Sequence, residues 1–171
     1  RYFTNFSSSL GYILVTKDVS YLLVDFRYIE AAKKTCHNCE VVLFNRLDET
    51  LANLIKRHNL KSTLLESDSI TLTCANSLKM ILENNNVKAH LNRDLDKIIN
   101  KIRMIKSTEE INKMRISQEI TEKAFNNTLN KIRPGITESE ISLDLEFQMK
   151  KLGAERVAFD LIVVSGKNSS L

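Results

Sequence analysis

The chain has 171 residues, 43% of them apolar and 27% charged, with a net charge of +4. That length holds one ordinary domain or two small ones, and no uninterrupted apolar run approaches the roughly 18 residues that span a bilayer. Three cysteines, an odd number, argue against a disulfide-stapled secreted domain and suit a reducing cytoplasm.

Arg1 to Phe6 carries no apolar h-region of a signal peptide and no Met stands first, so the chain is expected to be a piece of a longer protein, cut at both ends. Gly11 to Thr16 and Tyr21 to Val24 are apolar, β-prone runs joined by the polar turn Lys17-Asp18-Val19-Ser20, which predicts a hairpin. Phe26 to Lys34 reads as a helix and Glu40 to Phe44 as a strand. Leu51, Leu54, Ile55 and His58 recur at helical spacing after Asp48, a residue suited to capping a helix start. Thr63 to Leu65 is a short strand. Leu72, Ala75, Leu78, Ile81 and Leu82 form the next helical stripe, broken at Asn84-Asn85-Asn86, and Val87 to His90 is a further strand. Short strands alternating with ten-residue helices predict an α/β domain with a partly parallel sheet over residues 1–95.

The pattern changes in residues 96–171. Leu95, Ile98, Ile99 and Ile102 suggest a short helix. Ser107-Thr108-Glu109-Glu110 is a capping box, in which the Ser oxygen accepts an amide hydrogen bond and the Glu reaches back. It opens a long helix with Ile111, Met114, Thr121, Phe125, Leu129 and Ile132 as its buried stripe, ended by Arg133-Pro134-Gly135. Thr137-Glu138-Ser139-Glu140 is a second capping box. The helix after it buries Ile141, Leu145, Met149 and Leu152 and ends at Gly153, before a strand over Phe159 to Val164. The late helices have an apolar face that nothing obvious in the chain covers.

Nine basic residues lie between Lys97 and Arg133 against Glu109, Glu110, Glu119 and Glu122. Basic helices attract phosphate, but no series of aromatics is interleaved with the charges as a stacking platform requires. The run reads as the solvated face of an amphipathic helix, and neither a nucleic-acid nor a membrane partner is expected. Cys36-His37-Asn38-Cys39 has the spacing of half a zinc site or of a redox pair. Zinc would want a second ligand pair, and only Cys74, His58 and His90 remain, scattered. A redox pair of the thioredoxin kind opens a helix, whereas this one closes a helix-like segment, so Cys36 and Cys39 read as reduced cysteines at a turn. No metal-ligand spacing, phosphate-cradling Gly loop or nucleophile elbow occurs. Asp25 is expected to cap a helix while Arg27 forms an ion pair, and Asp160 reads as a surface carboxylate. The strongest local candidate is Ser165-Gly166-Lys167-Asn168-Ser169, where small residues let a peptide approach the backbone and Asn can hydrogen-bond an amide.

Several segments carry a family resemblance in order. Tyr2-Phe3-Thr4-Asn5-Phe6-Ser7-Ser8-Ser9 resembles the Y-L-T-G-F-x-G-S entry of the Xaa-Pro aminopeptidases and dipeptidases, with Asn5 and Ser8 in place of its glycines. Val24-Asp25-Phe26-Arg27-Tyr28 is similar to its L-x-D-x-R-Y strand end. Arg103 to Glu110 resembles R-x-I-K-(S)-x-x-E, Pro134-Gly135-Ile136-Thr137-Glu138 resembles P-G-x-T-E, and Phe159 to Ser169 resembles F-x-x-I-V-x-S-G-x-N-(S/A). The resemblance implies a creatinase-like N-terminal α/β domain over residues 1–95, followed by the beginning of a pita-bread α+β catalytic domain over residues 96–171. It also implies hydrolysis of the Xaa-Pro bond in peptides with proline at the second position. Two divalent metal ions, often manganese, serve that family through two Asp, one His and two Glu, and homodimers are usual. A Pro-His pair follows the Ser-Gly-x-Asn segment in the family and every metal ligand lies further on, so no catalytic or metal residue carries over to this chain. No metal binding and no activity are expected of it alone. Ser165, Gly166 and Asn168 are expected near the substrate. A non-catalytic relative on the same scaffold, creatinase itself, and a small α/β interaction module whose basic helix meets an acidic partner are the alternatives.

Overall fold

β1 (Tyr12–Val15) and β2 (Ser20–Val24) form an antiparallel hairpin with Tyr12 opposite Leu23 and Val15 opposite Ser20. Thr16 closes its turn, the amide and hydroxyl both donating to the Val19 carbonyl, at 3.0 and 2.7 Å. β3 (Glu40–Leu43) adds to β2 in parallel, giving the order β1-β2-β3. The central strand is apolar at four successive positions because both of its faces are covered. Side chains alternate across a strand, so Tyr21 and Leu23 enter one core with Phe44, Leu51, Leu54, Ile55, Leu82 and Val87, while Leu22 and Val24 enter another with Ala32 and Cys36.

The structure, a computed structural model, describes residues 2–170. It has two compact units that divide between Ile102 and Arg103, and the chain is a mixed α/β protein.

In the first unit, α1 (Ile29–Thr35) starts three residues later than the expected Phe26. Asp25 does not cap it. Its carboxylate accepts from the Arg27 amide at 2.9 Å and pairs with the Arg27 guanidinium at 2.6 Å, which builds the turn that precedes the helix. α2 (Leu47–His58) buries Leu51, Leu54 and Ile55. Asp48 lies inside its first turn rather than at the cap, where it pairs with Arg46 at 2.8 Å, so it acts on the helix dipole instead of on an orphan amide. α2 ends on Asn59 in the left-handed region, φ 48°. β4 (Ser62–Leu64) and β5 (Lys88–His90), joined through α3 (Leu72–Asn84), make a second, parallel two-stranded sheet. Thr71 caps α3 by accepting from the Cys74 amide at 3.3 Å. Asn5, standing where the resembled motif carries Gly, also has positive φ, 51°. Asn tolerates that region better than other residues with a Cβ, because its short polar side chain bonds locally.

α4 (Asp94–Met104) begins beside Asp96, a buried carboxylate that accepts from the Ser67 amide and hydroxyl and from the Asp68 amide, at 2.7 to 3.0 Å. Leu95 and Ile99 of the expected stripe are half-buried, but Ile98 and Ile102 are exposed.

In the second unit, α5 (Thr108–Leu129) and α6 (Glu138–Lys151) both open with complete capping boxes, on Ser107 with Glu110 and on Thr137 with Glu140. α5 ends at Leu129, ahead of the expected stop at Arg133-Pro134-Gly135; Asn130 closes it, its side-chain amide donating back to the Asn126 carbonyl at 3.1 Å. The two helices meet through Ala124, Thr128 and Gln148. Thr128 donates to Asp144 at 2.9 Å, Lys131 pairs with Asp144, and Asn127 donates to Gln148 at 3.3 Å. The contact between them is therefore polar at its centre. Of the expected buried stripe on α5, Ile111, Met114, Phe125, Leu129 and Ile132 are between 40 and 57% exposed. The expected strand at Phe159–Val164 is not formed. A strand exists through its ladder, and among the described residues this unit has no other strand to pair with; Phe159 and Ile162 are 73% and 81% exposed. Among the described residues no helix is long and apolar enough to cross a membrane.

Candidate functional site

The expected substrate residues lie on the short 3₁₀ turn Gly166–Ser170 and the residue before it. Gly166 opens the turn with φ +54°, and a Cβ built there would meet nothing within 4 Å. The left-handed backbone, not crowding, is what favours glycine at this point. The Asn168 amide donates to the Ser165 carbonyl at 3.1 Å and closes the turn.

Its anchor comes from the start of α6. Thr137 and Glu140 occupy each other in the capping box, with the Thr137 amide donating to Glu140 at 2.8 Å and the Glu140 amide to the Thr137 hydroxyl at 3.2 Å. That leaves Glu138, in the first helical turn, free to reach outward. One of its carboxylate oxygens accepts from the Ser165 amide at 2.6 Å and from the Ser165 hydroxyl at 2.9 Å, and Asn168 Nδ2 donates to the two oxygens at 3.3 and 3.1 Å. The Ser165 hydroxyl, then the Ser165 amide and Asn168, favour the charged carboxylate and hold Glu138 below the usual range. Ser165 and Asn168 are thus drawn to one carboxylate, with Gly166 between them and bare of side chain. Asn168 is half-buried, and Ser165, Gly166 and Lys167 are exposed.

Sequence reading missed Glu138. It counted only as a member of the capping-box tetrad and of the P-G-x-T-E resemblance, and its real partners lie 27 and 30 residues away. No local spacing carries a pairing of that range. Asp160 is exposed, as a surface carboxylate should be.

The other polar grouping, around Tyr28, belongs to the first unit. Ser9 Oγ lies 2.7 Å from Tyr28 Oη, and the Arg27 guanidinium carbon stands 5.1 Å from the Tyr28 ring centroid. The Ser9 hydroxyl holds the Tyr28 phenol below its ordinary value, and the Arg27 side chain does the same for the Asp25 carboxyl. These contacts bond neighbours to one another, in keeping with the structural role expected of Asp25 and Arg27.

Among the described residues no three His, Cys, Asp or Glu side chains gather closely enough to hold a metal ion. The described residues by themselves do not make a metal centre.

Comparison with known proteins gives a consistent set of likenesses. The sequence pattern of the Creatinase/Prolidase N-terminal domain matches residues 1–105, and that of Metallopeptidase family M24 matches residues 112–171. The Xaa-Pro dipeptidase of Pyrococcus furiosus is 33% identical over 161 residues, covering 94% of this chain and 43% of its own length. A putative Xaa-Pro aminopeptidase of Mycoplasma pneumoniae is 32% identical over 168 residues, covering 98% of this chain and 45% of its own. Among solved structures, an Xaa-Pro dipeptidase from Bacillus anthracis superposes with a TM-score of 0.90 at 32% identity, over 100% of this chain and 47% of the other. The chain therefore spans about half the length of the curated relatives it matches.

Proposed function

The chain belongs to the creatinase/prolidase N-terminal domain family, with a metallopeptidase M24 segment after it, and from that premise we propose that it is the N-terminal part of a proline-specific metallopeptidase. The substrate would be a peptide with proline at the second position, cut at the Xaa-Pro bond. Residues 1–95 would form the N-terminal domain and residues 96–171 the beginning of the catalytic domain. A homodimer in the cytoplasm would be the working form.

The observation that carries this reading is the continuity of the likeness. Relatives named as Xaa-Pro dipeptidases and aminopeptidases align with 94 to 98% of the chain. The Ser165–Asn168 turn supports the same reading from the structure. With Nδ2 directed to Glu138, Asn168 keeps its Oδ1 as an acceptor for a peptide N–H, and Gly166 leaves the backbone open to approach. Ser165, Gly166 and Asn168 would then contact substrate, and Glu138 would hold them in place. Two divalent ions, manganese by our proposal, would supply water activation and carbonyl polarisation from ligands outside residues 1–171.

The test is hydrolysis of Xaa-Pro dipeptides and of longer Xaa-Pro peptides by the protein carried to its relatives' length, with manganese and with chelator. Cleavage before proline that needs the metal is the expected result. No cleavage of either substrate class with manganese present would overturn the enzymatic reading and leave a scaffold of the same fold. Preference for the dipeptide or for the longer peptide would separate dipeptidase from aminopeptidase.

A further inference from the structure

Cys36 and Cys39 have no place in that function, yet the fold brings them together. Cys36 is the residue on which α1 ends. Its backbone is extended, with φ −93° and ψ 112°, and its amide donates to the Ala32 carbonyl at 2.8 Å. Cys39 comes just before β3. The two intervening residues, His37 and Asn38, are exposed, and Asn38 Nδ2 donates to the Phe3 carbonyl at 2.9 Å, which fixes the turn from outside. Both sulfurs consequently point inward, onto the cluster of Leu22, Val24 and Ala32. Their Sγ atoms lie 2.7 Å apart, either able to donate to the other, and all three cysteines of the chain are free. Cys36 is 5% exposed and Cys39 is half-buried, so a small reagent reaches the pair more readily than a large one.

We propose that Cys36 and Cys39 are a modification site, a vicinal dithiol that closes reversibly to an intramolecular disulfide when it meets a small neutral two-electron oxidant of the peroxide class. The shared hydrogen bond and the tight turn bring the sulfurs into contact before any oxidant arrives, so ring closure needs little rearrangement of the chain. Burial, and then the hydrogen bond with Cys36, push the Cys39 thiol up to about 12. Cys39 therefore keeps its proton and Cys36 is the attacking sulfur.

The sequence of bonds balances. The Cys36 sulfur gives up its proton as it attacks one peroxide oxygen, the O–O bond breaks, and the departing hydroxide takes up that proton as water. Cys36 is now a sulfenic acid. The Cys39 sulfur attacks it, the S–S bond forms and the S–O bond breaks. The Cys39 proton goes to the departing hydroxide as a second water. In sum, two thiols and one peroxide give one disulfide and two waters. A dithiol reductant reverses the change. The bond would tie the end of α1 to the start of β3, two elements that flank the central strand.

The experiment is a stepwise titration of the purified protein with hydrogen peroxide, followed by alkylation and peptide mapping. Titratable thiols should fall from three to one, with Cys74 still alkylated and Cys36 linked to Cys39 in one peptide about 2 Da lighter than its reduced form. Dithiothreitol should restore all three. In Cys39→Ser, Cys36 should stop at the sulfenic acid and be captured by dimedone, a product absent from the unmodified protein. Oxidation of Cys74 ahead of the pair would overturn the proposal. So would sulfinic acid at Cys36 without a cross-link, or Cys36 and Cys39 both remaining alkylatable. The unmodified protein alone decides among these results, so the proposal is testable even where the serine variant folds poorly.

Discussion

Glu138 and Ser165 form one structural unit across 27 residues of sequence. The carboxylate at the start of α6 accepts both the amide of Ser165, at 2.6 Å, and its hydroxyl, at 2.9 Å. Helix starts favour carboxylates because the first amides and the dipole favour negative charge there. In this case that charge also gathers the turn holding Ser165, Gly166 and Asn168. The turn's order is thus tied to the ionisation of one half-buried side chain.

Since Glu138 is held below the usual carboxylate range, the turn's contribution is present above the unfolded-state value and is lost as pH falls through the depressed folded-state value. The Ser165 amide proton should therefore titrate below the ordinary Glu value of about 4.3. Glu138→Gln should abolish that titration and speed amide exchange at Ser165 and Asn168, while α6 persists on its Thr137–Glu140 box. An NMR pH titration of the Ser165 amide checks this. A curve centred on the ordinary Glu value, or one unchanged by the substitution, would disprove it.

Gly166 tests the same turn through the backbone. Its φ of +54° lies where a Cβ is disfavoured, although no atom stands within 4 Å of the Cβ position. Gly166→Ala should cost the turn about 1–2 kcal/mol through backbone preference alone, and Gly166→Asn should cost less. Chemical shifts of Asn168 and Ser170 should move toward unstructured values in the order Ala, Asn, Gly. Equal behaviour of Ala and Gly would show that crowding and backbone preference are both absent.

The hairpin and both capping boxes were legible in the sequence because each depends on neighbours within a few residues. The apolar run at Tyr21 to Val24 and the Ser107 and Thr137 boxes are signals of that kind. What was not legible depends on distant partners. Phe159 to Val164 has the composition of a strand, but composition supplies no ladder partner. Ile111 to Ile132 has the spacing of a buried stripe, but spacing cannot say that α5 meets α6 through Ala124, Thr128 and Gln148 instead. Asp48 looked like a cap because a carboxylate suits both the cap and the first turn, and only the backbone angles tell these apart. In the candidate site, the turn was visible in Ser165, Gly166 and Asn168, whereas its anchor Glu138 was hidden among capping residues.

Asp96 should set an acid limb in stability. Its carboxylate accepts from the Ser67 hydroxyl and from the amides of Ser67 and Asp68, and these bonds, the Ser67 side chain first and Asp68 next, bring it down to about 2. The unfolded value is about 3.9. A depressed carboxylate stabilises the fold fully above its unfolded value and loses that contribution as pH falls from about 4 toward 2. Urea midpoints for the wild type and Asp96→Asn should differ most near neutral pH and converge as the pH falls through this window. A difference independent of pH would rule out ionised Asp96 as its source.

The last prediction contrasts two large apolar side chains. Leu23 is 0% exposed at the centre of the main core, between Tyr21, Phe44, Leu54 and Val87, whereas Phe125 on α5 is 52% exposed. Hydrophobic stabilisation follows the apolar area removed from water and the cavity left on deletion, not the size of the side chain. Leu23→Ala should therefore destabilise the first unit by about 2–5 kcal/mol. Phe125→Ala, though it removes more atoms, should cost well under the roughly 3–5 kcal/mol of a buried Phe. Urea unfolding of both variants, followed by probes in each unit, measures the two costs. A penalty for Phe125→Ala equal to that for Leu23→Ala would mean that the α5 face is covered in solution.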